Sequence, residues 1–350
     1  MLSASYILHM VNSMKIIVDA MGGDNAPEEI VKGALAAVRE LGVDIILCGR
    51  EEEVSRVIER TGLRSPPQGI EIVNASEVIG MEDDPAHAVR AKKDSSLTVA
   101  LNLLRDGRGD ACVSAGNTGA ILSGATLIVK RVRGVRRAAL APFIPNSGGG
   151  FVLIDSGANT ECTPEYLLQF AFMGYYYAQG VLKIESPRVG LLSNGTEPNK
   201  GTPLQLEAYE LLEKESRGGY INFVGNVEAK GVMDGACDII VCDGFTGNIF
   251  LKSLEGTASL IMSELKGIYK KSLITKLSAL MIKKHIYALR DKMNPDTIGG
   301  TSMLGISKPV VKAHGSSNAA AITSAIRHAA DAASSDIAAL LQENISRLKI

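Results

Sequence analysis

A glycine-rich corner, Gly116-Asn117-Thr118-Gly119, follows a short apolar strand and precedes an apolar helix. In such a corner the first backbone N–H groups of the helix have no partner within the helix and lie at its positive end. Glycine lacks the Cβ that would keep a ligand oxygen away from these groups, and Asn117 and Thr118 can add hydrogen bonds. The corner therefore indicates an anion site, most simply for phosphate, although the same residue types also serve only to turn a chain.

Similar corners recur at the ends of other apolar segments. They combine glycine with Asp, Asn, Ser or Thr side chains, and one of them carries Lys200. They occupy residues 19–24, 155–159, 193–201, 225–228, 243–248 and 314–317. Open α/β sheets bind ligands at the carboxyl ends of their parallel strands, so the recurrence predicts a single anion-binding cleft.

A basic group precedes the opening corner. Arg90, Lys92 and Lys93 are followed by Ser95 and Ser96. Guanidinium forks and hydroxyl groups suit phosphate oxygens, so this group could face a phosphate. The alternative is a solvated helix start, and the residues alone leave both open.

Composition narrows the class of protein. Among 350 residues, 46% are hydrophobic and 21% charged, values typical of a soluble enzyme rather than a disordered chain. The net charge of −1 gives no indication of a nucleic-acid partner. The five cysteines show no Cys-x-x-Cys spacing and predict reduced core residues of a cytoplasmic protein, so we expect neither a disulfide framework nor a zinc site.

The elements that must position these corners follow a regular alternation. Short apolar strands alternate with amphipathic helices without a long linker or repeat, which predicts a three-layer α/β/α fold with a largely parallel sheet. Residues 14–350 are expected to form a single catalytic unit with two α/β lobes. A strand begins directly after Met14 and residues 1–13 lack a basic n-region, so we expect a non-native or disordered leader there.

Residues 265–290 differ from the rest of the chain because they combine many lysines and apolar residues with no acidic residue. We expect a basic amphipathic helical hairpin over residues 260–293. Such a segment is typical of a helix lying on an anionic membrane surface, but an apolar face buried in a dimer would give the same pattern.

Taken together and in this order, the motifs resemble those of the phosphate acyltransferase family PlsX, which makes acyl phosphate from acyl-acyl carrier protein. The resemblance spans residues 14 to about 330 and departs at Ser307-Lys308-Pro309, where a glycine is expected. The matching stretches are residues 19–24, 90–96, 114–120, 155–159, 192–201, 225–228, 243–248 and 314–317.

The resemblance implies a homodimer with a fold similar to phosphotransacetylases and isocitrate dehydrogenase-type enzymes, working without a cofactor. It implies a cytoplasmic enzyme peripherally associated with the inner face of the membrane, at the start of bacterial phospholipid synthesis. The implied partners are acyl carrier protein, inorganic phosphate, an anionic membrane surface and a downstream glycerol-phosphate acyltransferase.

In the implied reaction phosphate itself attacks the thioester, so the enzyme must mainly position and stabilise charge. Asn194 and Asn226 are expected to donate hydrogen bonds to the oxyanion, and Lys200 to supply positive charge. His314 is expected to protonate the leaving sulfur, unless it only caps the next helix. The phosphate or the pantetheine phosphate is expected near Gly116, Asn117, Thr118, Gly119, Asp19, Gly22, Gly23, Asp243, Asn248 and Ser316.

Three other functions are compatible with parts of the pattern. A phosphotransacetylase-type enzyme acting on short acyl-CoA would use the same fold and similar loops. A dehydrogenase is disfavoured because the sequence has no Gly-x-Gly-x-x-G fingerprint and no metal-binding aspartate set. A non-enzymatic membrane scaffold would leave the glycine-rich corners unexplained.

Overall fold

A computed structural model describes residues 14–293 and 299–344 of the chain. The leader predicted for residues 1–13 lies outside these ranges. The described strands are β1 (Lys15–Asp19), β2 (Asp44–Gly49), β3 (Ile70–Asn74), β4 (Ala111–Ser114), β5 (Ala139–Ile144), β6 (Phe151–Ile154), β7 (Arg188–Leu192), β8 (Asn222–Val227), β9 (Ile239–Val241), β10 (Thr301–Leu304) and β11 (Val310–Lys312).

Helices follow most of the strands, as the alternation predicts, and a π-helical turn (Ala125–Val129) extends one of them. The described helices are α1 (Glu28–Leu41), α2 (Glu51–Arg60), α3 (Pro85–Ala91), α4 (Ser96–Arg105), α5 (Thr118–Gly124), α6 (Pro164–Gly180), α7 (Pro203–Arg217), α8 (Ala229–Met233), α9 (Gly244–Lys270), α10 (Leu273–Met293), α11 (Ala319–Ser334) and α12 (Ile337–Glu343).

The strands form one 11-stranded sheet in the order β3-β2-β1-β4-β11-β10-β5-β6-β9-β7-β8. We use the name first lobe for β1 to β4 and β11, which are parallel to one another, and the elements packed on them. We use the name second lobe for β6 to β9, which are also mutually parallel, and the elements packed on them. β10 and β5 join the two lobes through antiparallel pairings. The predicted fold, three layers around a largely parallel sheet, is confirmed.

The two parallel groups run in opposite directions. Three successive antiparallel pairings, β11 with β10, β10 with β5 and β5 with β6, separate them. An odd number of reversals places the carboxyl ends of β1, β4 and β11 at one edge of the sheet and those of β6 to β9 at the other. The expectation that all the glycine-rich corners share one edge is therefore wrong.

Alternating side chains of each strand pack against helices on the two faces, since successive residues of a strand point to opposite sides. In the first lobe, Ile16 and Val18 pack with α1 and α11, and Ile17 packs with α4 and α5. In the second lobe, Val152 packs with α6, whereas Phe151 packs with α8 and α9.

The aromatic-rich helix α6 is buried almost all round and supplies the core of the second lobe. The Tyr177 hydroxyl lies 3.0 Å from Nε2 of His328 on α11, and that nitrogen lies 2.7 Å from Oγ of Ser302 on β10. Burial raises the pKa of the Tyr177 phenol. This buried polar contact joins the second lobe to elements of the first.

Helices α9 and α10 pack against each other and carry many exposed apolar side chains. Met281 is 80% exposed and Ile274 is 79% exposed, values far above those of core residues. Others on the same hairpin are Leu260, Ile261, Ile268, Leu277 and Leu280. Among the described helices, none combines the length and the apolar character needed to cross a bilayer.

Candidate functional site

Asp19, buried at the end of β1, joins the loops that follow β1 and β4. Its carboxylate accepts hydrogen bonds from Ser114 Oγ at 2.6 Å and from the Met21 N–H at 3.2 Å. Ser114 Oγ in turn accepts the Gly116 N–H at 3.1 Å. Burial raises the pKa of the Asp19 carboxyl, an effect that hydrogen bonds with Ser114 and Ser96 partly offset. Asp19 therefore sets the shape of the opening corner.

Gly22 allows the same two loops to touch. A Cβ built on Gly22 would lie 2.5 Å from Asp19 Oδ2 and 2.8 Å from the Gly116 nitrogen. Both atoms belong to buried, hydrogen-bonded positions that cannot easily move. Glycine at this position is therefore required by the close approach of the loops.

The loop after β11 joins this group from a third side. The Asp24 N–H donates to the Gly315 carbonyl at 2.8 Å, and Asn25 Nδ2 donates to the Ser316 carbonyl at 3.0 Å. Ser317 Oγ is buried and has no hydrogen-bond partner among the described residues. Asp19, Gly22, Gly23, Gly116, His314 and Ser316, called the Asp19 cluster below, are thus brought together.

The tautomer of His314 follows from its contacts. Its Nδ1 lies 2.8 Å from Ser316 Oγ and 3.3 Å from the Ser316 backbone nitrogen, whose N–H donates to it. Because a backbone N–H can only donate, Nδ1 is the acceptor, and a neutral ring carries its proton on Nε2. His314 is exposed, so Nε2–H is available to a ligand.

The Asn117 side chain is used within the protein. Its Oδ1 accepts the Ala120 N–H at 3.1 Å, which caps α5, and its Nδ2 donates to the Met81 carbonyl at 2.9 Å. With a residue exposure of 9%, Asn117 positions the corner. The neighbouring Thr118 is half-buried.

A cleft of about 290 Å³ opens beside α5. Its lining includes Arg90, Arg131 and Arg137 together with the hydroxyls of Ser123 and Thr126, and it contains no carboxylate. We call it the arginine cleft. The residues that line it are Ala86 and Arg90 of α3, Leu122 and Ser123 of α5, Thr126 and Leu127 of the π-helical turn, Arg131, Arg137 and Ala138, and Ala158 and Asn159 after β6.

None of the three cleft arginines makes an ion pair with a carboxylate within the part of the chain that the structure describes. Arg137 stacks on Tyr166, with its guanidinium carbon 5.5 Å from the ring centroid. Arg131 donates to the backbone carbonyl of Arg136. Three guanidinium groups without carboxylate partners make the cleft suited to a polyanion.

The residues of the basic group predicted at positions 90–96 make different contacts and do not form one phosphate-facing group. Arg90 lines the arginine cleft. Lys92 instead pairs with Asp83 at 2.6 Å, and Ser95 caps α4 by accepting the Thr98 N–H. Ser96 contributes a hydrogen bond to Asp19.

The loop after β6 carries Asn159 into the cleft wall. Asp155 holds this loop by accepting the N–H groups of Gly157, Ala158 and Asn159, and burial raises the pKa of the Asp155 carboxyl. The Gly244 N–H donates to the Asn159 carbonyl at 2.7 Å, which ties the start of α9 to this wall.

Asp243 and Asn248 lie beside that loop. Asp243 caps α9 by accepting the Thr246 N–H at 2.8 Å and its hydroxyl at 2.7 Å. A Cβ built on Gly157 would lie 3.6 Å from Asn248. Both predicted residues therefore belong to the second lobe's side of the cleft.

Asn194, Lys200 and Asn226 form a separate group at the ends of β7 and β8. Asn226 is buried and donates from Nδ2 to the Glu197 carbonyl at 2.8 Å, and its Oδ1 has no partner in the described ranges. Asn194 and Lys200 are exposed. No hydrogen bond described for residues 14–293 and 299–344 joins this group to the Asp19 cluster.

Sequence reasoning did not single out Arg131 and Arg137. The available signal was the run Lys130–Arg137, which contains five basic residues and no acidic one. Ser123, Thr126 and Asn159 also line the cleft, but only the packing of α5 against the loop after β6 brings them together.

Comparison with solved structures shows the same fold. A phosphotransacetylase from Streptococcus pyogenes aligns with a TM-score of 0.62 at 19% identity, covering 95% of this chain and 99% of that one. The EutD phosphotransacetylase from Staphylococcus aureus aligns with a TM-score of 0.59 at 17% identity, covering 92% and 94%. At these identities the likeness concerns the fold alone.

Sequence relatives are much closer. A phosphate acyltransferase from Oceanobacillus iheyensis is 47% identical over 317 residues, covering 90% of this chain and 92% of the relative. Another from Thermoanaerobacter pseudethanolicus is 44% identical over 336 residues, covering 96% and 98%. The profile of the family described as "Fatty acid synthesis protein" matches residues 14–340. Near-complete coverage by both comparisons shows that this chain belongs to the phosphate acyltransferase family and is an enzyme of the acyltransferase class.

Proposed function

We propose that this enzyme transfers a long-chain acyl group from acyl carrier protein to inorganic phosphate, releasing acyl phosphate and the free carrier. The observation that carries the proposal is the 47% identity to a phosphate acyltransferase over nearly the whole chain. The arginine cleft adds independent support, because a polyanionic substrate needs several positive groups free of carboxylate partners.

We propose that phosphate binds in the arginine cleft. Arg90, Arg131 and Arg137 would hold its oxygens, and the hydroxyls of Ser123 and Thr126 would complete the shell. Guanidinium groups are suited to this task because they stay charged and donate in pairs. The corner at residues 116–119 leads directly into α5 and fixes this wall of the cleft.

The resemblance gives the other predicted residues roles in this reaction, and no described hydrogen bond joins Lys200, Asn194 or His314 to the cleft. Lys200 supplies positive charge, and exposed Asn194 donates to the thioester oxygen as it becomes an oxyanion. Asn226 positions the loop after β7 through the Glu197 carbonyl. His314 delivers a proton from Nε2 to the leaving sulfur, while Asp243, Asn248 and Ser316 hold the loops in place.

In the proposed reaction a phosphate oxygen forms a bond to the thioester carbon, and the C=O electron pair moves to oxygen. Collapse of this tetrahedral species restores C=O and breaks the C–S bond. Hydrogen phosphate supplies the proton that finally resides on the pantetheine thiol. The sum is thioester plus hydrogen phosphate giving acyl phosphate plus thiol, so no enzyme nucleophile or cofactor is required.

A second function is favoured by the fold, since the aligned structures are phosphotransacetylases. Such an enzyme would use a short acyl-CoA. We expect kcat/KM for acyl-phosphate formation to be at least about a hundredfold higher with long-chain acyl carrier protein than with acetyl-CoA. The larger substrate makes more contacts with the enzyme, which lowers the free energy of its transition state by several kcal/mol more. Hydroxylamine trapping of the acyl phosphate measures both. The reverse preference would replace the proposal with the phosphotransacetylase function.

We further propose that the α9–α10 hairpin contacts the membrane surface and a second subunit. Its exposed apolar side chains and its lysines provide the two components of binding to an anionic bilayer. Acyl phosphate carries a long apolar chain, so release at a membrane would pass it to the downstream glycerol-phosphate acyltransferase.

Vesicle binding tests this second proposal. The protein is expected to co-sediment with anionic vesicles, less so as salt rises, and replacing Lys270 and Lys271 with glutamate should weaken binding at least about tenfold, since each lysine contributes about 1 kcal/mol. The double variant Lys214→Glu/Lys230→Glu, outside the hairpin, serves as the control. Equal binding to neutral and anionic vesicles would contradict an electrostatic contact.

A further inference from the structure

Residues 130–137 form an exposed basic segment between the π-helical turn and β5. Lys130, Arg131, Arg133, Arg136 and Arg137 are all exposed, and no acidic residue interrupts them. Val132 and Val135, each only 5% exposed, anchor the segment in the core. The alternation of buried valines with exposed cations produces a fixed, positively charged surface.

The backbone of this basic segment is held in one conformation. Gln169 on α6, only 1% exposed, accepts the Arg136 N–H at 2.8 Å and donates to the Gly134 carbonyl at 3.2 Å. The Val132 N–H donates to the Gly305 carbonyl at 2.9 Å. Because the backbone is already fixed, this segment loses little conformational entropy when a partner binds.

The basic segment is continuous with the arginine cleft. Arg131 and Arg137 line the cleft, whereas Lys130 and Arg133 are exposed and do not line it. If the anionic arm of a partner entered the cleft, the surface of that partner would therefore contact Lys130 and Arg133. Complementary charge at such a rim steers association.

We propose that the basic segment is the docking surface for the carrier protein, which would present carboxylates around its phosphopantetheine arm. This inference rests on the proposed function, and it names the surface of the enzyme that the carrier protein contacts. The phosphodiester of the arm and the surrounding carboxylates are both anions, so one continuous cationic surface serves both.

A membrane is the less suitable occupant of this surface. Beside the basic segment, Leu127 is a large exposed apolar side chain at 44%, whereas the α9–α10 hairpin exposes a whole series of such side chains. Interfacial binding requires apolar insertion in addition to charge. The basic segment therefore matches an acidic protein surface better than a lipid surface.

The test is the double variant Lys130→Glu/Arg133→Glu, whose residues lie outside the cleft lining. We expect KM for acyl carrier protein to rise at least about tenfold while kcat at saturation is retained, and the salt dependence of kcat/KM to become shallower. A merely structural role would lower kcat or the melting temperature instead. Arg64→Glu, exposed on the loop before the edge strand β3, is the matched control and should change neither parameter.

The outcomes separate the two proposals. A wild-type enzyme that forms no acyl phosphate from acyl carrier protein removes the proposed function itself. An active wild type with the same KM in the double variant overturns the docking surface alone. Weakened binding of the double variant to anionic vesicles, with an unchanged KM for the carrier, would assign the segment to a lipid surface and also overturn the docking proposal.

Discussion

Replacing Lys200 with alanine is expected to lower acyl-phosphate formation at least about a hundredfold, the effect of losing a charged contact to the transition state. Lys200 is exposed and makes no ion pair among the described residues, so no core packing is lost. Single-turnover assays with acyl carrier protein measure the chemical step, and thermal unfolding checks the fold.

The control for this prediction is Lys214→Ala near the other end of α7, where an exposed lysine only adds to the favourable charge of the last helical turn. Activity in that variant should remain within about twofold of the wild type, since a surface contribution of a few tenths of a kcal/mol affects stability alone. Near-normal turnover of Lys200→Ala would remove Lys200 from the active site and leave the charge to the arginine cleft.

Gly22→Ala is expected to disturb both the Asp19 cluster and catalysis. The new Cβ would lie 2.5 Å from Asp19 Oδ2 and 2.8 Å from the Gly116 nitrogen, so the loops after β1 and β4 must separate. We expect a loss of about 1–3 kcal/mol in the free energy of unfolding, as for other overpacked sites. A displacement of about 1 Å is enough to reduce activity about a hundredfold.

Chemical denaturation and steady-state kinetics measure the two effects of Gly22→Ala. The matched variant is Gly231→Ala on α8, where the new Cβ would lie 3.4 Å from Val227, an ordinary contact. That change should be neutral or stabilise the protein by up to about 1 kcal/mol, because alanine favours helix. If Gly22→Ala kept full activity, the close contact between the two loops would have no role in catalysis.

Many individual elements could be predicted from local sequence because their patterns are short-range. Apolar patterns predict strands over residues 111–114 and 188–192 and a helix over residues 164–180. The strands β4 and β7 and the helix α6 have these bounds. Apolar runs bounded by glycine or proline specify such elements with little help from distant residues. The apolar run at residues 120–129 predicts one continuous helix. The structure instead divides this run between α5 and a π-helical turn, and both contribute to the lining of the arginine cleft.

The site was predicted only in part. The motifs that end β1, β4 and β11 do meet, through Asp19, Ser114 and Gly315. Asn117 proves to be a loop-positioning residue, because its amide is taken up by backbone groups from residues 80–83 and 120. A residue type at the right place in a motif does not reveal which partner its side chain will find.

What the sequence by itself determined is the set of elements, their alternation and the family to which their motifs belong. Only the tertiary structure decided that the two parallel groups oppose each other, because that depends on how β10 returns from the end of the chain to pair with β5. The same long-range pairing places β5, which begins two residues after Arg137, beside the lobe that carries Arg90. Local propensity acts over a few residues, whereas the arginine cleft is assembled by contacts between residues that are far apart in the chain.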